Sequence, residues 1–344
     1  MKKLRVLVLT HESLVPPDSL DGYTLQEIDE WETEYDVISV LREAEHEVRV
    51  LGMYDNLGDL RQAITEWKPD IAFNLLQEFQ GIVSYDQHIV AYLELMRQPY
   101  TGCNPRGMML SRDKVLSKQI LAYHRIPTPQ FHVFRRGRVF RAPRKLKFPL
   151  FVKSATEDAS LGISQASIVS DVARLRERVE FIHESTKTDA LVEEYIEGRE
   201  LYMAIDGNNR LTTYPVWELN FGTLSDAMAG IATRKVKWDR KYQEKHAIQT
   251  GVAKNLSDAE REKFSRYSKR VYRSLYMSGY ARMDFRMRAD GEIFLLEANC
   301  NPNLCDGEDF SAAADAGGVE YDALIHRIIR HGLSYEAEWR LNEI

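Results

Sequence analysis

The chain has no run of about 20 apolar residues, so no helix is expected to span a bilayer, and no membrane partner is expected. The start, MKKLRVLVLT, holds only a short apolar run, and polar His11-Glu12-Ser13 follows, which reads as a first strand rather than a leader. Cysteine is scarce: Cys103, Cys300 and Cys305 are an odd, sparse set that fits reduced thiols in a cytoplasmic protein. Cys300 and Cys305 lack two nearby further ligands, which argues against zinc. There is no basic excess. The net charge is −6, so nothing points to a nucleic-acid partner. Neither a GxxxxGK[ST] loop nor a dinucleotide fingerprint occurs, and there is no internal repeat or low-complexity tract. One absence is local: from Val6 to Leu41 there is no Lys or Arg, while Asp18, Asp21, Glu27, Asp29, Glu30, Glu32, Glu34 and Asp36 accumulate. That run is either a solvated helix and loop or a patch that attracts an ammonium-bearing substrate.

What is present suits an ordinary globular protein of two or three domains: 344 residues, 44% hydrophobic and 28% charged. The first third alternates strand and helix. Strands are expected at 4–10, 47–51 and 70–76, and helices at 27–45, 57–67 and 84–96. This βαβαβ order implies a parallel sheet whose ligands gather at strand C-terminal ends, where His11, Gln77 and Glu78 sit. A second segment begins near Ser111 with one capped helix ending before Pro127. It continues with a strand at 148–153, a loop of small and polar residues at 154–164, a helix at 171–185 and a strand at 190–198. The third segment, from about Arg199, is sheet-rich, with a polar insertion at 222–256 and helices at 258–277 and 320–332.

Residues 280–302, YARMDFRMRADGEIFLLEANCNP, read as a β-hairpin with a two-residue turn at Asp290-Gly291. Counting back from that turn puts Asp284 opposite Glu297 and Arg282 opposite Asn299, all four on one face. Met283, Phe285, Met287, Phe294, Leu296 and Ala298 would form the core stripe on the other. Facing carboxylates repel, so this face is either an ion-pair ladder or a cation site, and an all-oxygen set suits Mg²⁺ better than zinc. A one-residue error in the turn would separate the two acids onto opposite faces. The loop after Lys153 contains Ser154, Ser160 and Gly162; small residues let backbone N–H groups approach an anion, although a plain surface loop has the same composition.

Together these features resemble the ATP-grasp carboxylate–amine ligases and, within them, the D-alanine–D-alanine ligase family. The resemblance runs from about Asp70 to Leu333, through PYTGCNPRGMMLSRDK, FPLFVKSATEDASLGIS and GYARMDFRMRADGEIFLLEANCNP. It implies an α/β ATP-grasp fold with an N-terminal parallel-sheet domain (1–110), a central subdomain (111–198) and a C-terminal subdomain with the hairpin (199–344). It also implies a cytoplasmic enzyme, a homodimer through the N-terminal domain, and ATP with two Mg²⁺ ions, Mn²⁺ serving as substitute. By resemblance, Lys114 and Lys153 contact the phosphates, and the loop with Ser154, Ser160 and Gly162 closes over them. Glu193 accepts from the adenine amino group, with the backbone of Glu194 and Ile196 along the same edge, and Glu200 binds the ribose. Lys237 reaches the γ-phosphate, Asp284, Glu297 and Asn299 hold the metals, and Arg282 stabilises the acyl phosphate and the tetrahedral intermediate.

The substrate half departs from the family. The first loop, HESLVPPDSLDGYTLQEIDEWETEYD, is longer and more acidic, with no clear counterpart of the glutamate that holds the first D-alanine. Leu76-Gln77-Glu78 replaces a His-Gly, and Trp238 replaces a tyrosine. Asn303-Leu304-Cys305-Asp306-Gly307-Glu308-Asp309 replaces a small-residue loop ending Ser-Leu. Gln77, Glu78, Asp306 and Glu308 are therefore candidate substrate residues, with the acids favouring a positively charged amine donor. The expected function is ATP-dependent ligation of a small-molecule carboxylate and amine other than two D-alanines. The alternatives are a D-alanine–D-alanine ligase with a divergent pocket and a non-catalytic nucleotide-binding protein.

Overall fold

A computed structural model describes residues 2–143, 145–156, 164–223, 233, 236 and 239–341. The N-terminal elements are β1 (Arg5–His11), α1 (Leu25–Glu43), β2 (Glu47–Met53), α2 (Leu57–Gln62), β3 (Ile71–Asn74) and α3 (Asp86–Leu95). They form a parallel sheet of order β2-β1-β3. Val6, Leu7, Val8 and Leu9 of β1 are wholly buried, as expected of a strand covered on both faces. Thr24 and Glu27 form a capping box that starts α1, two residues earlier than the periodicity suggests.

Two helices, α4 (Pro105–Arg112) and α5 (Lys114–Tyr123), replace the single helix expected after Ser111. Asp113 leaves helical geometry (φ −74°, ψ 94°), and its carboxylate caps the N–H groups of Val115 and Leu116, so α5 starts afresh. The central sheet follows: β4 (Phe131–Phe134), β5 (Leu150–Ser154), β6 (Ile168–Val169), α6 (Val172–Ser185) and β7 (Ala190–Glu194), in strand order β4-β7-β5-β6. It has its own apolar core, in which Leu150, Val152 and Val192 meet Leu175, Val179 and Ile182 of α6.

The C-terminal part comprises β8 (Arg199–Asp206), β9 (Thr212–Thr213), β10 (Trp217–Asn220), α7 (Arg240–His246), β11 (Gln249–Val252), α8 (Asp258–Ser274), β12 (Tyr280–Met287), β13 (Ile293–Cys300), α9 (Asp309–Ala316) and α10 (Tyr321–Ser334). Its antiparallel sheet runs β11-β10-β8-β12-β13, with β9 beside β8. The chain then returns: Leu324, Ile325, Ile328 and Ile329 of α10 pack with Val6, Val8 and Phe73 of the N-terminal sheet. Residue 110, the expected end of the first domain, lies inside α4. No helix among the described residues is long and apolar enough to cross a membrane.

The hairpin differs in one respect with two compensating parts. Its loop has three residues: Arg288 N–H donates to Glu292 O (2.9 Å), Gly291 N–H donates to Arg288 O (3.0 Å), and Gly291 takes φ +82°. That alone would put Asp284 opposite Leu296. The register shifts again between Asp284 and Phe285, because Leu296 is an extra, bulged residue. The result is Asp284 opposite Glu297 and Arg282 opposite Asn299. Below the bulge the core residues are Ile293 and Leu295, not Phe294 and Leu296; Phe294 lies under the Arg288 guanidinium and Leu296 faces the cleft.

Candidate active site

A cavity of about 680 Å³ opens where the three sheets meet. Asn74–Glu78, at and beyond the C-terminal end of β3, line one side; Phe151, Lys153, Ser154 and Glu193–Ile196 of the central sheet and the segment after it line another. The third wall is the polar hairpin face, with Arg282, Asp284, Arg286, Glu297 and Asn299, together with Glu200 of β8.

On that face Asp284 is almost wholly buried and takes a two-pronged contact from Arg282, Nε to Oδ1 at 2.8 Å and Nη2 to Oδ2 at 3.1 Å. The Arg282 guanidinium also lies 4.7 Å from the Tyr202 ring centroid and 3.6 Å from Asp309 Oδ2. Burial works to lower the Arg282 pKa, but the Asp284 and Asp309 charges more than offset it, and the net shift is upward. Glu200 accepts from Arg286 Nη2 (2.7 Å) and from the Tyr202 hydroxyl (2.9 Å). Among the described residues, no three His, Cys, Asp or Glu side chains gather as a metal site. The hairpin supplies two carboxylates and the Asn299 amide, a hard oxygen set that fits Mg²⁺ sharing its shell with phosphate oxygens.

Opposite the hairpin, Glu193 bridges two lysines. Lys118 Nζ lies 2.5 Å from Oε1 and Lys153 Nζ 3.0 Å from Oε2. Burial would raise the Glu193 pKa, but the two lysines outweigh it and hold the carboxyl below its ordinary value. Burial pushes Lys118 down, only partly countered by Glu193, whereas the surrounding carboxylates bring Lys153 out above its usual value. Lys114 Nζ lies 3.9 Å from Glu297 Oε2, linking α5 to the hairpin. Ser154 Oγ is 2.8 Å from Thr188 Oγ1, and Glu194 and Ile196 line the cavity. Ser160, Gly162, Lys237 and Trp238 lie outside the described residues.

Of the expected substrate residues, Gln77 and Glu78 line the cavity, with Glu78 Oε1 3.5 Å from His11 Nε2. Asp306 and Glu308 do not: Asn303 and Leu304 form the wall, and the chain then turns away. The turn is fixed from a distance, because Asp36 Oδ2 accepts the Asp306 N–H (3.0 Å). The acids that do reach the cavity are Asp29, Glu30 and Glu34 of α1. Glu34 is 5% exposed; burial raises its pKa to about 7, with the Thr10 hydroxyl 3.3 Å away acting against the rise. Lys118 and Arg286 are the site residues that sequence reasoning missed. Lys118 sits one helical turn beyond Lys114, a spacing that could have found it.

Comparison with known proteins gives a consistent picture. Residues 120–330 match the family described as D-ala D-ala ligase C-terminus. An uncharacterized protein of Sinorhizobium fredii is 33% identical over 259 residues, 75% of this chain and 73% of that one. The D-alanine–D-alanine ligase of Desulfotalea psychrophila is 29% identical over 298 residues, 86% of this chain and 88% of its own. In fold, the chain is similar to the ATP-complexed D-alanine–D-alanine ligase of Bacillus anthracis, with a TM-score of 0.73 at 23% identity over 99% of this chain and 100% of that one.

Proposed function

The chain belongs to the D-Ala-D-Ala ligase family, and from that membership we propose that it joins a small-molecule carboxylate to an amine through an acyl phosphate, with release of ADP and phosphate. The enzyme is an ATP-dependent ligase that forms a C–N bond. The observation that carries the reading is the polar hairpin face: Arg282, Asp284, Glu297 and Asn299 share one cavity with Lys114, Lys153 and Glu193.

The chemistry follows from charge. A carboxylate is a poor electrophile until phosphorylation gives it a leaving group. Lys114 and Lys153 bring positive charge to the cleft for the phosphates of ATP. Glu193 keeps two buried ammonium groups in place and, through the second acceptor site of each oxygen, remains able to receive an adenine amino group. Glu200, with one edge fixed by Arg286, would receive the ribose hydroxyls of ATP. Arg282, held by Asp284, offers its guanidinium to the oxyanion formed as the amine attacks. Asp284, Glu297 and Asn299 would hold Mg²⁺, which when bound neutralises the charge developing on the transferred phosphoryl group. The division at 110 and 198 and the roles of Ser160, Gly162 and Lys237 rest on sequence resemblance alone.

We read the substrates as amino-acid-like but other than two D-alanines. The support is the part of the cavity lined by α1 and the segment after β3, where Asp29, Glu30, Glu34 and Glu78 would favour ammonium groups and repel carboxylates. The second reading, synthesis of D-Ala-D-Ala itself, is favoured by the name of the Desulfotalea psychrophila relative. ADP release with Mg-ATP, measured against single amino acids, small carboxylates and pairs of both, distinguishes them. Stimulation by one pair, absent in Glu297→Gln, supports the ligase reading; stimulation by D-alanine alone replaces our substrate reading with the second; and stimulation by no pair counts against turnover.

A further inference from the structure

No Asp or Glu occurs between Asp113 and Glu157, although the whole chain carries net negative charge. Lys114 and Lys153 of this stretch line the cleft, and Lys118 is buried behind them. Most of the rest is concentrated in the connection between β4 and β5, where Arg135, Arg136, Arg138, Arg141, Lys145 and Lys147 are all exposed. Among the described residues, none of the six forms an ion pair with a carboxylate. The neighbouring helix α6 does not neutralise them, since its outward Glu177, Glu180 and Glu184 are accompanied by Arg174 and Arg176.

The first part of the connection, 135–140, is built rather than loose. Arg138 N–H donates to Arg135 O (3.2 Å) across a turn with Gly137 at φ +72°, a conformation that favours glycine. Arg136 is anchored at both ends: its N–H donates to Asp189 Oδ1 (2.9 Å) and its guanidinium to Lys187 O (2.7 Å). Phe140 stacks on Phe134, with ring centroids 4.9 Å apart and planes within 10°, and Arg176 lies over Phe140 at 4.5 Å. Val139, between Arg138 and Phe140, is 84% exposed.

We propose that this basic turn is a docking surface for an anionic phospholipid bilayer, with the arginines and lysines on the headgroups and Val139 entering the interface. Clustered cations of this number are what an anionic leaflet attracts, and contact of this kind needs no apolar helix, so the lack of a spanning segment does not oppose it. Nucleic acid is the less suitable partner. Phe140 is already engaged by Phe134 and Arg176, which leaves Phe148, 38% exposed at the end of the connection, as its one partly open ring among the described residues, while the exposed Val139 has no use against a phosphate backbone. The acids of α1 and the preceding loop are repelled by the same leaflet, which would orient the molecule.

The test is co-sedimentation of the full chain with vesicles of phosphatidylcholine alone and with about 30% phosphatidylglycerol, at low salt and at about 0.5 M NaCl. Binding is expected only with phosphatidylglycerol, falling about tenfold or more at high salt and in Arg135→Glu/Arg138→Glu/Arg141→Glu. Val139→Ser, which leaves the charge unchanged, should weaken it several-fold. An unchanged melting temperature confirms that the variants fold; should the triple variant melt early, Arg138→Gln alone serves in its place. Equal sedimentation with both vesicle types, none with either, or binding untouched by the arginine changes would overturn the proposal. So would single-stranded RNA binding as tightly as the vesicles with Val139→Ser without effect on either, which would assign the patch to a soluble polyanion.

Discussion

Lys118 Nζ lies 2.5 Å from Glu193 Oε1, tying helix α5 to strand β7 behind the cleft. The contact is asymmetric in consequence, because Glu193 has a second lysine and Lys118 has no second carboxylate at that distance among the described residues. Lys118→Met leaves Glu193 paired with Lys153 and should cost about 1–3 kcal/mol. Glu193→Gln removes the carboxylate that both buried ammonium groups contact and should cost more, about 3–5 kcal/mol. Urea denaturation of the two variants at neutral pH reads the difference, and equal costs would contradict the triad.

Turnover should depend strongly on both hairpin acids. Glu297→Gln and Asp284→Asn are expected to lower ADP release by roughly 10²-fold or more. Asp284→Asn also loosens Arg282, whose contacts to it are both charged. Initial rates with saturating Mg-ATP check this, and a change of only a few-fold would remove both residues from the chemistry.

Glu34 should make stability fall as pH rises. Its pKa is raised in the folded protein to about 7, from an ordinary value of 4.5. Between those values the folded state holds a proton that the unfolded state has released. The contribution is therefore fully present below about pH 4.5 and lost as pH rises through 7, on the order of 2–4 kcal/mol in all. Glu34→Gln removes the titration, so its stability relative to the parent should improve from pH 5 to pH 8. Parallel denaturation curves at both pH values test the sign, and a constant difference would refute it.

The acids at the cavity wall and those on the following loop should behave differently. Asp29→Asn and Glu30→Gln are expected to raise KM for the amine substrate several-fold. Asp306→Asn and Glu308→Gln should leave it within about twofold, since neither residue lines the cavity. Steady-state kinetics on whichever pair supports ADP release decides, and a larger effect at Asp306 would mean that the loop reorients on binding.

Much of this was legible in the chain itself, for identifiable reasons. Buried strands such as Val6–Leu9 announce themselves by composition, and a period of two brings Arg282, Asp284, Glu297 and Asn299 to one face. What escaped depended on contacts distant in sequence. The direction of the loop through Asp306 is set by Asp36, 270 residues away. The break between α4 and α5 depends on one capping carboxylate, Asp113, in an otherwise continuous helical pattern. Asp290-Gly291 suggests a two-residue turn, yet the chain forms a three-residue one with only the glycine in left-handed geometry, and a bulge downstream cancels the error.

The extra residue in the turn and the extra residue at Leu296 are each harmful alone, since either by itself would carry Glu297 out of line with Asp284. They are neutral only together. At this chain length, a substitution that favoured a two-residue turn without removing the bulge would shift Glu297 against Asp284, while every motif stayed in the text.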